Sequence, residues 1–197
     1  MKTLPIQSEG RKALAREYAR IHYGLDEWRL VAPRLVIVHY TGSDSDAVSL
    51  SVFKPARLEA SRTDIEAGGS LNVGVHYMIA KDGTIWSLLP ESDMGRHAIG
   101  YNHVALGIEL TGSSADKLTP AQLEACAALV ADIARRTPSI TYLCGHHEYV
   151  QEGRAHTVLY RELQPGYGPT RKTDPGEAFM NALRRLLLDR YSLNFLD

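Results

Sequence analysis

The stretch Arg34–Ser43, RLVIVHYTGS, decides the fold. Its short apolar, β-branched run ends in the polar Thr41-Gly42-Ser43, the pattern of a buried central strand that leads into a loop. Side chains alternate along a strand, so Leu35, Ile37 and His39 share one face. A histidine at the C-terminal end of a strand sits where sites open in α/β sheets. Taken alone, His39 reads more simply as a hydrogen-bonded core residue.

Working outward, Ile140–Cys144 is a second apolar strand, and Gly145-His146 again puts a histidine just past a strand end. Val104–Leu110 is a third strand, with Leu106, Ile108 and Leu110 on one face and Ala105, Gly107 and Glu109 on the other. Val75–Ala80 and Thr84–Leu89 flank Lys81-Asp82-Gly83, a strong hairpin signal. Helices are expected over Ser8–Tyr23 (Ser8 as N-cap, Gly24 as stop), Asp44–Phe53, and Ala56–Ala67 closed by Gly68-Gly69. A further helix over Thr119–Arg136 has Pro120 at its first position and Gln122 completing a capping box with Thr119. A last helix opens at Asp174-Pro175-Gly176-Glu177, with Asp174 as its N-cap, and runs to Tyr191. Strands and helices interleave around a central hairpin. This predicts one mixed α/β (α+β) domain over residues 1–197, a central mixed sheet flanked by helices, with a helical N-terminal extension over 1–30.

The chain has 197 residues, enough for a core that needs no staples. Its formal net charge of -1 excludes the basic footprint of a nucleic-acid binder. No apolar stretch is long enough to cross a membrane as a helix. Met1–Gly10 lacks the apolar core of a signal peptide. That implies a cytoplasmic protein, or a periplasmic or cell-envelope one whose export segment has been replaced by Met1. Cys126 and Cys144 lie in apolar segments outside any CxxC pair and read as buried free thiols. The eight histidines are the one compositional excess and raise the prior for a metal site.

Two strand-end histidines suit zinc, and a catalytic zinc wants a third protein ligand. Candidates for the third are His147, Glu148, His156 and Asp174. Asp174 can cap a helix with one oxygen and bind metal with the other. Lys172, two residues earlier, leaves on the same side of an extended chain, where it can stabilise an oxyanion. Glu109 shares its strand face only with a methyl and a hydrogen, so it faces a space, with room for a water and a substrate amide. Charge there needs a partner. Nearby cations are expected to keep it ionised.

The ordered strings VIVHYTGS, GGSLNVGVHYMIAKDGTIWSLLPES, RHAIGYNH, GIEL, GH and KTDPG resemble the zinc-dependent N-acetylmuramoyl-L-alanine amidases of type 2, which are related to peptidoglycan recognition proteins. The resemblance covers Arg34 to Met180. It implies a zinc hydrolase, with Zn²⁺ held by His39, His146 and Asp174, and with Glu109 and Lys172 as the catalytic pair. It places Tyr40, His76, His97 and Asn102 in motifs that line the family's cleft. The implied reaction is hydrolysis of the amide between N-acetylmuramic acid and L-alanine in peptidoglycan or muramyl peptides, by a monomer. The alternative is a recognition module that binds such fragments and cuts nothing. Two departures stand out. Val75 occupies the place where some relatives carry a catalytic Tyr. His146 and Asp174 are also separated by an inserted loop, 148–170, with Gly153, Gly166 and Gly168 permitting turns. The insertion leaves Glu148 and His156 as rivals to Asp174, and gives the loop a place over or beside the cleft.

Overall fold

The computed structural model describes residues 1–196. Strand β2 (Leu35–Tyr40) is buried through His39 and lies between two parallel neighbours. Those neighbours are β5 (Ala105–Leu110) and β6 (Tyr142–Gly145). Beyond β5 come β3 (Tyr77–Ile79), parallel to it, and β4 (Ile85–Ser87), which closes the expected hairpin antiparallel to β3. A two-residue strand, β1 (Lys2–Thr3), adds parallel to β4 and completes the order β1-β4-β3-β5-β2-β6. It carries no apolar pattern, so the sequence gives no sign of it. At the opposite edge the chain end covers β6, where Leu196 N donates to Thr141 O and Leu143 N to Leu196 O. The β6 edge is thereby covered, and the other edge is the two-residue β1, too short to be much of a template for strand addition.

Alternation on the central strands divides the interior in two. Val36 and Val38, with Leu106, Ile108, Leu110 and Leu143, pack against Cys126, Ala127, Val130 and Ile133 of α3 (Pro120–Arg136) and Met180, Leu183 and Leu187 of α4 (Glu177–Tyr191). Leu35 and Ile37 face the other way, with Ala105, Cys144, Ala98, Tyr101 and Tyr149. The α3 capping box forms as read: Gln122 N donates to Thr119 Oγ1 and Thr119 N to Gln122 Oε1. Helix α1 (Glu9–Tyr23) starts at Ser8 and stops at a left-handed Gly24, and α2 (Asp46–Phe53) is capped by Ser45. Cys126 and Cys144 are buried free thiols, and burial pushes Cys126 up to about 12.

Two expectations fail. Residues 56–67 form no helix; the segment has only a single 3₁₀ turn at Glu66–Gly68. Of its backbone carbonyls Ile65 O is held by a buried guanidinium, and the backbone flanking the segment on both sides is gathered by two such groups. Arg11 donates to Phe53 O, Pro55 O, Asn72 O, Val73 O and Ile6 O. Arg96 donates to Ile65 O, Gly69 O and Leu71 O, and to Tyr167 Oη. Nor is Asp174 a helix cap. The α4 N-cap is Gly176, and the Asp174 side chain turns towards the sheet.

Arg11 is 1% exposed and has no carboxylate among its hydrogen-bond partners, so burial lowers its pKa to about 10. Removing the guanidinium strands several buried acceptors at once. Arg11→Met is expected to lower unfolding free energy by about 2–4 kcal/mol in a denaturant titration. A loss under about 0.5 kcal/mol would mean that water satisfies those carbonyls equally well.

Candidate metal centre and cleft

Strand register builds the site. Leu35 pairs with Ala105 and Tyr142, Ile37 with Gly107 and Cys144, and His39 with Glu109. Val38 pairs with Gly145, so His146 follows beside His39. Three parallel strands therefore deliver His146, His39 and Glu109 to one face, at their C-terminal ends. Asp174 reaches the same point from the chain before α4. Its Oδ2 lies 3.0 Å from His146 Nδ1 and 3.4 Å from His39 Nδ1. One ligand atom from each of the three falls within 4.8 Å of the others. Two imidazole nitrogens and a carboxylate oxygen converging on one point form the donor set of a zinc site with an open fourth position.

Electrostatics agrees with that fit. Burial first, then the neighbouring His39, pushes His146 down to about 4, which keeps its ring neutral as a ligand must be. Burial opposes ionisation of Asp174, but the imidazoles of His146 and His39 hold its carboxyl well below the usual range. Its backbone carbonyl accepts from His147 N at 2.7 Å and from the His147 ring at 3.1 Å, which fixes the residue's position.

The rival ligands are committed elsewhere. Glu148 accepts from Gly145 N, Arg154 and Arg184. His156 is fully buried, with Nε2 against Tyr149 O. His147 is held by Asp174 O, which leaves Asp174 as the carboxylate at the site.

The centre lies in a cleft of about 540 Å³ that is also lined by Glu109, Lys172, Tyr40, His97, Val75 and Tyr149. Glu109 Oε2 is buried and has no hydrogen-bond partner among the described residues. Burial raises the Glu109 carboxyl well above its usual range, and Asp174 raises it further. No cation of the chain figures among these influences, so keeping Glu109 ionised as a base would fall to a metal bound at the site. Tyr40 Oη lies 3.2 Å from Thr173 Oγ1 at the cleft edge.

The remaining residues read as cleft-lining divide. His97 lines the cleft but also touches His39, with 3.1 Å between His97 Nδ1 and His39 Nε2. Asn102 also borders the cleft, but its side chain is fully buried: its Oδ1 accepts from His97 N and Ala98 N, and its Nδ2 donates to Tyr18 Oη, so it organises the loop there. The structure does not bring His76 to the cleft surface. It is fully buried, with Nε2 on Asp93 O and Nδ1 accepting from Gly107 N, so both ring nitrogens serve the backbone. The expected space beside Gly107 is filled as well. A Cβ there would lie 2.9 Å from the His97 ring and 2.9 Å from Val75 Cγ1.

The 148–170 segment borders the cleft through Tyr149, Gly166, Tyr167, Gly168 and Thr170. It is anchored along its length: Tyr149 Oη bridges Thr170 N and O, Arg161 N donates to Gly100 O, and Gln164 Nε2 donates to Ala67 O. Tyr149 was missed by the sequence reading. Its ring meets His146 edge-on at 4.7 Å, and no periodicity marks it.

Known proteins resemble the chain at both levels. It is 36% identical over 86 residues to the endolysin of Escherichia phage T7, a match over 41% of this chain that spans 56% of that protein's length. By structure it is similar to a selenomethionine AmpD derivative (TM-score 0.55, 22% identity, 81% of this chain and 90% of that one). It is also similar to human PGRP-IBETAC in complex with glycosamyl muramyl pentapeptide (TM-score 0.53, 19% identity, 84% and 88%). At such identities these structures establish the mixed α/β fold. Residues 29–177, well over half of the chain, match the family model described as N-acetylmuramoyl-L-alanine amidase, and the chain belongs to that family.

Proposed function

We propose that the chain hydrolyses the amide between the lactyl group of N-acetylmuramic acid and L-alanine in peptidoglycan or muramyl peptides, with zinc held by His39, His146 and Asp174. The observation that carries this reading is the meeting of those three ligand atoms within 4.8 Å, beside Glu109, whose buried Oε2 has no hydrogen-bond partner among the described residues. The endolysin relative and the muramyl-peptide complex of the human neighbour support the substrate class.

Zinc, when bound, polarises a carbonyl and makes water a nucleophile at neutral pH. The chain's own residues do the rest. The cleft that contains the three proposed ligands and Glu109 is where the amide would be held. Glu109 takes a proton from the attacking water and passes it to the leaving amine. Its missing partner is what frees an oxygen for that exchange. Lys172, at the rim, offers its ammonium to the oxyanion of the tetrahedral intermediate. Val75 offers no hydroxyl, so proton transfer falls to Glu109.

Two experiments test the reading. Zinc content should fall sharply in His39→Ala and Asp174→Ala. It should hold in Glu148→Ala, which instead loses stability because Arg154 and Arg184 lose a buried partner. Zinc lost from Glu148→Ala and kept by Asp174→Ala would overturn the ligand assignment. Glu109→Gln should keep zinc and fold but lose on the order of 10²- to 10⁴-fold in turnover, followed by mass spectrometry of muropeptides. Turnover within a few-fold of wild type would remove Glu109 from the proton path. Wild-type protein that binds muropeptides and releases no L-alanine-headed peptide would make the chain a recognition module.

A further inference from the structure

We propose that His97 is a positioning residue that fixes the proton of His39 on Nε2 and so presents the His39 Nδ1 lone pair to the metal. The inference rests on His39 being a ligand, and deepens that reading by naming what orients it. His97 Nε2 lies 3.4 Å from Ala105 O, and His97 Nδ1 lies 3.1 Å from His39 Nε2. A carbonyl oxygen only accepts, so His97 Nε2 carries the hydrogen. In a neutral ring this leaves His97 Nδ1 as an acceptor, and His39 Nε2–H donates to it. His39 Nδ1 is then unprotonated, and it is the nitrogen that faces Asp174 Oδ2. The reverse order of protons would set a ring lone pair against the Ala105 carbonyl.

The relay has its own supports. The His97 ring lies over Gly107, where a Cβ would meet its Cγ and Cδ2 at 2.9 Å, so the glycine makes room for the ring. Asn102 Oδ1 accepts from the backbone N–H groups of His97 and Ala98, and Tyr18 of α1 holds the Asn102 amide. The ring centroids are 5.2 Å apart with 3.1 Å between His39 Nε2 and His97 Nδ1, so the rings meet nitrogen to nitrogen. Metal-ligating histidines ordinarily give their second N–H to a carboxylate, carbonyl or water. Here a second histidine passes the order of a backbone carbonyl on to the ligand.

Two readouts test this. The first is the tautomer state of ¹⁵N-labelled histidines, by long-range ¹⁵N–¹H correlation in metal-free protein. The second is zinc affinity, by competition with a chromophoric chelator. Wild type should show His39 and His97 both protonated on Nε2. His97→Leu fills the space over Gly107 without an acceptor, so His39 should become a mixture of tautomers. Its zinc dissociation constant should rise on the order of 10- to 100-fold. His97→Asn returns an oxygen acceptor near the Nδ1 position and should recover most of that loss. Gly107→Ala displaces the ring from beneath and should behave as His97→Leu does. His39 protonated on Nδ1 in wild type, or unchanged zinc affinity in a folded His97→Leu, would overturn the proposal. Absence of zinc binding in wild type would sink the hydrolase reading instead. The tautomer measurement would then decide the relay on its own.

Discussion

The structure turns on the parallel register of β6, β2 and β5. Side chains alternate with a period of two, so a slip of one residue in any of these strands would exchange its two faces. His39 would enter the apolar layer beneath α3 and α4, and Val38 would face the cleft. The register is held because both faces are buried and chemically different. Valine, leucine and isoleucine fill one side against two helices. Leu35 and Ile37, with small and aromatic residues, fill the other, below the polar strand ends. Burial of the apolar layer, at roughly 25 cal/mol per Å², stabilises the same alignment that brings His146, His39 and Glu109 together. Folding and site assembly are therefore one event on these strands, and of the three proposed ligands Asp174 is the one brought in from outside them.

A second set of interactions ties the periphery to the centre. Arg11 on α1 and Arg96 before His97 each gather backbone carbonyls from the irregular 53–73 region. Tyr18, also on α1, holds Asn102, which holds the His97 backbone. Tyr167 of the 148–170 segment bonds Arg96, and His22 on α1 pairs with Glu162 at 2.8 Å. The N-terminal helix and the inserted segment thus brace the cleft wall opposite the metal ligands. Irregular backbone survives there because its carbonyls have charged donors, the condition that buried polar groups must meet.

How far the sequence could be read follows from the same physics. Five of the six strands were legible as short apolar runs bounded by turn residues, and α3 because Thr119-Pro120-Ala121-Gln122 combines three local start signals. The proposed ligands His39 and His146 were legible as histidines past apolar strand ends. Asp174 was one of four candidates for the third place, and only the resemblance singled it out, since local rules also made it a helix cap; the helix in fact begins two residues later. Residues 56–67 misled because the two arginines that claim the neighbouring carbonyls are remote in sequence. Gly107 misled differently. Its missing side chain signalled space, but a ring from ten residues earlier fills that space. His76 and His97 look alike in sequence, and only the fold separates a histidine that serves the backbone from one that touches a ligand.

If strand register makes a metal centre from His39, His146 and Asp174, zinc must bind there. The most direct test is a crystal structure of zinc-loaded protein with anomalous difference density measured across the zinc absorption edge. One peak per chain is expected, about 2.0–2.2 Å from His39 Nδ1, His146 Nδ1 and an Asp174 carboxylate oxygen. A peak bound through Nε2 of either histidine, at Glu148 or His156, or no peak at all, would contradict it.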